Sequence, residues 1–171
     1  TPEQYIKRIK EIGQPAAAIT DHGGISSHYK WYTQCIKNDI KPILGCELYI
    51  EKKYNDESEA NRYHITVLAK DNEGYKNLLQ IVTNAWKNFN KRPLVKIQDL
   101  IDHQKGLIVL SGCMSSKVSS LVLAKRLDEA EKELLYLKDN IEYFYVEITP
   151  SFFEKAKGLA EELYALSEKL K

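Results

Sequence analysis

Two kinds of apolar pattern alternate along the chain. Stretches with an apolar residue at every third or fourth position predict helices, and short apolar runs between polar clusters predict buried strands. The predicted helices span residues 2–12, 25–37, 72–86, 97–101, 116–124, 128–140 and 152–171. The predicted strands span residues 16–19, 42–50, 64–69, 107–110 and 143–148.

Capping residues mark several of the predicted helix ends. Thr1, Asp71 and Ser151 stand where an N-cap is needed, and Gly13 ends the first helix. Residues 51–62 are charged and rich in turn formers, so we expect an exposed loop there. Because the strands alternate with helices, the pattern predicts an α/β fold with a parallel sheet and a site at the carboxyl ends of its strands.

The composition is that of a globular domain. Of 171 residues, 43% are hydrophobic and 29% are charged, and 25 basic residues oppose 24 acidic ones. The net charge of +1 argues against a dominant basic nucleic-acid-binding face. There is no apolar run long enough for a membrane span. The three cysteines favour a reducing, cytoplasmic setting over a disulfide framework.

Potential metal ligands lie at the predicted strand ends. Asp21 and His22 follow the first strand, Glu47 lies in the second, His64 begins the third and Cys113 follows the fourth. Imidazole, carboxylate and thiolate groups suit zinc, manganese or iron. The same residue types are common at ordinary loop edges, and a buried Cys more often serves as a small apolar residue. His64 stands at the wrong end of its strand for a parallel sheet.

Four segments, found in a fixed order along the chain, favour the metal-ligand interpretation over that of ordinary loop residues. They are 18–23 (AITDHG), 40–47 (IKPILGCE), 64–70 (HITVLAK, followed by EGYKNL at 73–78) and 106–113 (GLIVLSGC). The first resembles the second motif of the PHP (polymerase and histidinol phosphatase) superfamily. The others resemble its polymerase branch, the N-terminal domain of bacterial DNA polymerase III alpha subunits. The resemblance extends from residue 1 to about residue 148.

The resemblance implies a fold and a metal site. Members fold as a distorted seven-stranded βα barrel that holds up to three divalent ions at its C-terminal mouth. By position, His22, Glu47, His64 and Cys113 match family ligands, and Asp21 matches a residue beside them, where it could orient a ligand imidazole. The family's His-x-His and Asp-x-His motifs are not found. We therefore expect residues 1–171 to form a single partial PHP domain that lacks the first strand and the C-terminal strands.

The implied function is that of a domain in a DNA-directed DNA polymerase. It carries part of a metal-dependent phosphoesterase or 3′–5′ exonuclease site, with DNA, replisome subunits and a proofreading exonuclease subunit as partners. Two alternatives remain: a stand-alone phosphatase of the same superfamily, and a non-catalytic scaffold that docks a proofreading subunit. Activity of these residues alone, and the presence of metal without the two missing motifs, stay open at this point.

Other distinctive residues are predicted to be structural. We expect Cys35 and Cys46 in the core and His28 and His103 at the surface. Trp31, Trp86 and the 11 tyrosines are expected to pack between helices and sheet, not to stack on nucleic-acid bases. A basic cluster, comprising Lys87, Lys91, Arg92 and Lys96, could touch a DNA backbone but fits a solvated loop better.

Overall fold

The structure is a computed structural model and describes residues 2–52, 62–89, 91–149, 156 and 158–170. Its helices are Pro2–Glu11 (α1), His28–Lys37 (α2), Asn72–Lys87 (α3), Ile97–Asp102 (α4), Lys117–Leu123 (α5), Leu127–Asn140 (α6) and Leu159–Lys169 (α7). Its strands are Ala16–His22 (β1), Lys41–Glu51 (β2), Arg62–Ala69 (β3), Leu94–Val95 (β4), Leu107–Leu110 (β5) and Phe144–Tyr145 (β6). The predicted α/β class is confirmed.

All six strands belong to one sheet, in the order β1-β2-β3-β5-β6, with β4 paired to β2. The β1–β2, β2–β4 and β5–β6 pairs are parallel. The β2–β3 and β3–β5 pairs are antiparallel. The prediction of a parallel sheet was therefore wrong, because β3 runs against its neighbours.

The reversal of β3 has a simple cause. No helix separates β2 from β3 in the pattern, and adjacent strands joined without a crossover helix pair antiparallel. The joining segment was predicted as an exposed loop, and its residues 53–61 lie outside the described part. As a result, the amino end of β3 reaches the same sheet edge as the carboxyl ends of β1 and β2.

Side-chain caps start two of the described helices, α3 and α5. The Asp71 carboxylate accepts a hydrogen bond from the Gly74 amide at 2.9 Å, and the Ser116 hydroxyl accepts one from the Ser119 amide at 3.1 Å. The predicted caps Thr1 and Ser151 lie outside the described residues. The two-residue strand β4 was not predicted, since such a length carries no periodic pattern.

The core consists of two apolar clusters. The larger joins the central strands to helices α3 to α7, and the smaller lies between α1, α2 and β1. Cys35 and Cys46 are buried, as predicted. His28 was predicted at the surface, and this was wrong, because its side chain is 2% exposed. Nε2 of His28 lies 2.9 Å from the Gly45 carbonyl and Nδ1 lies 3.4 Å from the Tyr75 hydroxyl, so that both ring nitrogens have polar partners.

The described helices include none that is both long and apolar enough to cross a membrane.

Candidate metal centre

The pairing of β1 with β2 brings the first two predicted ligands together. In the parallel register His22 stands opposite Glu47, one position beyond the pair Asp21 and Cys46. Nδ1 of His22 lies 3.1 Å from Oε1 of Glu47. The His22 side chain is 70% exposed, whereas that of Glu47 is mostly buried. His22 therefore connects a buried carboxylate with solvent.

The antiparallel strand β3 supplies the third residue. His64 pairs with Tyr49 of β2, two positions along the strand from Glu47. Its Nδ1 lies 2.8 Å from the same carboxylate oxygen, Oε1 of Glu47. The apparent misplacement of His64 at the start of its strand is explained by the reversal of β3.

The turn after β5 supplies the fourth residue. Cys113 Sγ lies 3.8 Å from His64 Nδ1. Gly112 allows this approach, because its φ is +91° and a Cβ at that position would lie 2.6 Å from the His64 carbonyl oxygen. One ligand atom from each of Glu47, His64 and Cys113 lies within 4.8 Å of the other two. These three residues form a compact donor group, which His22 joins at its Glu47 side.

The hydrogen bonding of the Glu47 carboxylate indicates whether a cation fits among these donors. Oε1 is buried, and no residue that the structure describes gives it a hydrogen bond, although two imidazole nitrogens lie within 3.1 Å. A buried carboxylate oxygen without a donor is costly, whereas a divalent cation between it and the imidazoles would satisfy it. The donors are two imidazoles, a carboxylate and a sulfur, which suits zinc and other divalent transition metals.

Burial lowers the pKa of His64, which favours the neutral, metal-binding imidazole, and raises the pKa of Cys46, which makes that thiol unreactive. Desolvation lowers the pKa of His64, and the charges of Arg62 and His22 lower it further, while the Glu47 carboxylate acts in the opposite direction. Burial raises the pKa of the Cys46 thiol to about 12, and its Sγ donates to the Asp21 carbonyl at 3.3 Å. Cys46 thus stays a neutral thiol beside the centre.

Asp21 fixes the turn that carries His22. Its carboxylate Oδ2 accepts a hydrogen bond from the Ser27 amide at 2.8 Å, which ties the end of β1 to the start of α2. The hydrogen bond from an imidazole to Asp21, which the resemblance suggested, is not among the contacts of the residues described. The hydrogen bond that Asp21 does accept, from Ser27, therefore shapes the loop between His22 and α2.

Sequence reasoning missed an aromatic and basic layer beside the centre. The Tyr49 ring lies 5.2 Å from the His64 ring, centroid to centroid. The guanidinium carbons of Arg62 and Arg92 lie 5.1 and 5.9 Å from the centroid of the Tyr49 ring. Strand alternation could have indicated Tyr49, because it is two residues after Glu47 on the same strand. Arg92 could not have been found in this way, because its place beside Tyr49 depends on the pairing of the short, unpredicted strand β4 with β2.

Trp86 is also placed differently from its prediction. Trp31 is buried as predicted, but Trp86 is 53% exposed, so the expectation that it packs inside was wrong. Several tyrosines are likewise exposed, among them Tyr5, Tyr29 and Tyr164. Trp86 Nε1 donates to the carbonyl of Gly23, the residue after His22, at 2.9 Å. A cavity of about 670 Å³ beside this contact is lined by Asp21, His22, Trp86 and Lys87, among others.

Of the predicted site residues, the structure brings together His22, Glu47, His64 and Cys113, with Asp21 in the adjoining turn. His103 lies apart, partly exposed, with Nδ1 2.9 Å from the Asp99 carbonyl. The basic residues Lys87, Lys91, Arg92 and Lys96 are exposed, as predicted.

Comparison with known proteins adds sequence relatives. Residues 1–151 match the family model described as PHP domain. The DNA polymerase III subunit alpha of Chlamydia trachomatis is 37% identical over 145 residues, which cover 80% of this chain and 12% of that protein. The same subunit of Treponema pallidum is 31% identical over 177 residues, covering 98% of this chain and 15% of that protein. The chain thus spans less than a sixth of the length of these relatives.

Among solved structures, an amidohydrolase from Chromobacterium violaceum matches with a TM-score of 0.38 and 12% identity. The match covers 97% of this chain and 91% of that protein. A similarity of this degree does not bear on function.

Proposed function

The chain belongs to the PHP domain family, and from this membership we propose that it is a metal-dependent phosphoesterase domain. One observation carries the proposal. The buried oxygen Oε1 of Glu47 makes no hydrogen bond of normal geometry with the residues described, although Nδ1 of His64 lies 2.8 Å and Nδ1 of His22 lies 3.1 Å from it. A buried carboxylate oxygen that accepts no hydrogen bond is unfavourable, and a cation bound between it and the imidazoles would satisfy it.

We assign His22, Glu47, His64 and Cys113 as the residues that hold the metal. The histidines would act as neutral imidazoles and Cys113 as a thiolate, and the sulfur favours zinc over manganese or iron. When bound, a divalent cation supplies acidification of water and neutralisation of charge on a phosphoryl group. Glu47, whose Oε1 lies near both imidazoles, would be the carboxylate that holds a cation beside the two histidines.

The proposed reaction is hydrolysis of a phosphoester. A water oxygen attacks phosphorus, the P–O bond to the leaving oxygen breaks, and the leaving oxygen takes up a proton. The exposed His22 places this chemistry at the surface, where a substrate can reach it. Arg62 and Arg92, which flank Tyr49, add positive charge near the centre for a phosphate group.

We further propose that the domain belongs to a bacterial replicative polymerase. The matches to DNA polymerase III alpha subunits, over 80% to 98% of the chain, support this proposal. In that setting the substrate is DNA, the partners are DNA and other replisome subunits, including a proofreading exonuclease subunit, and the compartment is the cytoplasm. The phosphoester would then be the terminal phosphodiester of a strand.

Metal analysis tests the centre directly. We expect the purified protein, dialysed against zinc and then against metal-free buffer, to retain zinc measured by mass spectrometry of the element. Glu47→Gln should lose it, whereas Glu51→Gln, an exposed carboxylate on the same strand, should retain it. Equal zinc content in the Glu47→Gln variant and the wild type would remove the assignment of the centre.

Hydrolysis tests the activity. The substrate is bis(4-nitrophenyl) phosphate, assayed with zinc, manganese and iron(II) in turn. We expect a metal-dependent release of nitrophenol that Glu47→Gln abolishes and Glu51→Gln preserves. If zinc is bound through Glu47 but no metal supports hydrolysis of this diester or of a 3′-labelled strand, the domain is a non-catalytic metal-binding scaffold.

A further inference from the structure

We propose that Trp86 and Phe89 form a stacking platform for the unpaired terminal base of a nucleic-acid strand, next to the metal centre. The inference rests on the proposed function for the role of the bound strand, since it names the part of the substrate that the centre would act beside. It concerns binding, and the platform can be tested without any hydrolysis.

The first observation is the aromatic pair itself. The rings of Trp86 and Phe89 are stacked, with centroids 5.2 Å apart and planes 10° from parallel. Trp86 is 53% exposed and Phe89 is 52% exposed. An exposed pair of aligned aromatic rings offers a flat apolar surface, and nucleic-acid bases stack on such surfaces with little dependence on sequence.

The second observation is the fixed position of the pair relative to the centre. Trp86 donates to the carbonyl of Gly23, directly after His22, and the cavity of about 670 Å³ is lined by both Trp86 and His22. Pro93 also packs on this turn, since a Cβ on Gly23 would lie 2.8 Å from Pro93 Cγ. A base beside Trp86 would thus share a cavity with a candidate metal ligand.

The third observation is charge. Lys87 lines the same cavity, and Lys91 and Arg92 are exposed just beyond Phe89. Among the residues described, no acidic side chain pairs with Lys87 or Lys91. Arg92 lies over Tyr49, whose ring contacts that of His64. Lys87 therefore adds positive charge to the cavity, and Arg92 adds it beside the aromatic neighbour of His64.

The stacked rings and the nearby cations together indicate which ligand would bind at the aromatic pair. A flat aromatic ligand alone would not need the cations, and a simple phosphate would not need the stacked rings. A strand end has both a base and adjacent phosphates, and its base is free to stack only when it is unpaired. A protein partner would bring an apolar or acidic surface in place of a base, and a surface of that kind would not make the aromatic pair bind a single strand.

Binding to metal-free protein tests the platform. The probe is a 5′-fluorescein single-stranded 12-mer of thymidine, titrated with the 171-residue chain in EDTA and followed by fluorescence anisotropy. We expect Phe89→Leu to weaken binding by about tenfold, because loss of one stacking partner typically costs that much. Tyr164→Leu, which removes an equally exposed aromatic ring on α7, should bind like the wild type.

A second readout uses the tryptophans. Trp31 is buried, so quenching of the intrinsic fluorescence by the unlabelled 12-mer should report on Trp86, and Trp86→Leu should abolish the quenching. Unchanged affinity in Phe89→Leu, or equal affinity for a blunt duplex of the same length, would overturn the platform. The platform would also be overturned if both aromatic variants bound the strand normally and only Lys87→Gln lost binding, since binding would then rest on charge attraction alone.

The platform and the proposed function fail separately. The anisotropy measurement contains no metal and no hydrolysis, so it reports on Phe89 and Trp86 whatever the metal centre does. Zinc retention and diester hydrolysis, each compared with Glu47→Gln in a protein that keeps both aromatic residues, report on the centre alone. A strand that binds through Phe89 to a protein without hydrolytic activity would uphold the platform and refute the phosphoesterase.

Discussion

Cys113 Sγ lies 3.8 Å from His64 Nδ1, although 49 residues separate the two in sequence. The contact places a partly exposed thiol in the proposed metal centre, while Cys35 and Cys46 are buried. It makes the reactivity of Cys113 a direct reporter of metal binding.

We expect iodoacetamide to alkylate Cys113 first in the folded, metal-free protein. Burial raises the pKa of Cys46 to about 12, so that thiol should stay unmodified until the protein unfolds. Added zinc should slow alkylation of Cys113 at least tenfold, because the sulfur would be bound. Peptide mass mapping after timed quenching measures each site. Equal protection in Glu47→Gln would show that zinc does not use this centre.

Zinc should stabilise the fold through Glu47. At a free zinc concentration of 100 times the dissociation constant, binding to the folded state alone adds about 2.7 kcal/mol. This should raise the melting temperature of the wild type by several degrees in a thermal scan followed by circular dichroism. Glu47→Gln should show no zinc-dependent shift, whereas Glu51→Gln should shift like the wild type. A shift in Glu47→Gln would contradict the assignment.

Trp86 should tune metal affinity through the turn that carries His22. Trp86→Phe keeps an aromatic ring but removes the donor to the Gly23 carbonyl. A lost hydrogen bond of about 1 kcal/mol corresponds to a roughly fivefold weaker zinc affinity if the bond holds the turn in its binding geometry. Competition with a chromogenic chelator measures this, and Tyr164→Phe is the control. An unchanged zinc affinity would show that the turn is held without Trp86.

His28 should be a stability residue despite its polarity. Its ring lies between the Gly45 carbonyl and the Tyr75 hydroxyl and is almost fully buried. His28→Ala leaves a cavity and a carbonyl without its donor, so we expect a loss of about 3 kcal/mol in the free energy of unfolding. The partly exposed His103 offers a comparison, with an expected loss below about 1 kcal/mol for His103→Ala. Urea denaturation of both variants decides the matter.

A side chain at Gly112 should destabilise the protein through both backbone strain and a steric clash. A comparison with Gly13 separates the two effects. At Gly13, φ is +69° and an added Cβ has open space, so Gly13→Ala should cost only the backbone term of about 1 kcal/mol. At Gly112, φ is +91° and the Cβ would also collide with the His64 carbonyl. Gly112→Ala should therefore be clearly more destabilising and should weaken zinc binding, as measured by denaturation and chelator competition. Equal costs at both glycines would mean that the contact with His64 relaxes freely.

The sequence was most informative where local chemistry decides the outcome. Asp71 caps α3 as predicted, because capping needs only neighbouring residues. The motifs also predicted the grouping of His22 with Glu47, and in the structure it follows from the β1–β2 register, which sets His22 at the end of β1 opposite Glu47 inside β2.

Long-range placement was less predictable. The direction of β3 depends on how β2 connects to it, and the assumption of a uniform parallel sheet placed His64 at the wrong edge. The burial of His28 depends on acceptors from β2 and α3 that no local pattern reveals. Trp86 has the helical spacing of a core residue, but it lies one residue before the end of α3, and its side chain stays about half exposed.

The donor group draws on four separated segments, which carry His22, Glu47, His64 and Cys113. Residues 1–112 contain β1, β2 and β3 and therefore three of the four proposed ligands, but not the sulfur. The proposed ligand set would be complete only after Cys113 has left the ribosome. Zinc held by all four residues would require β5 to have joined the sheet beside β3, so metal binding by a growing chain would report on that step of folding.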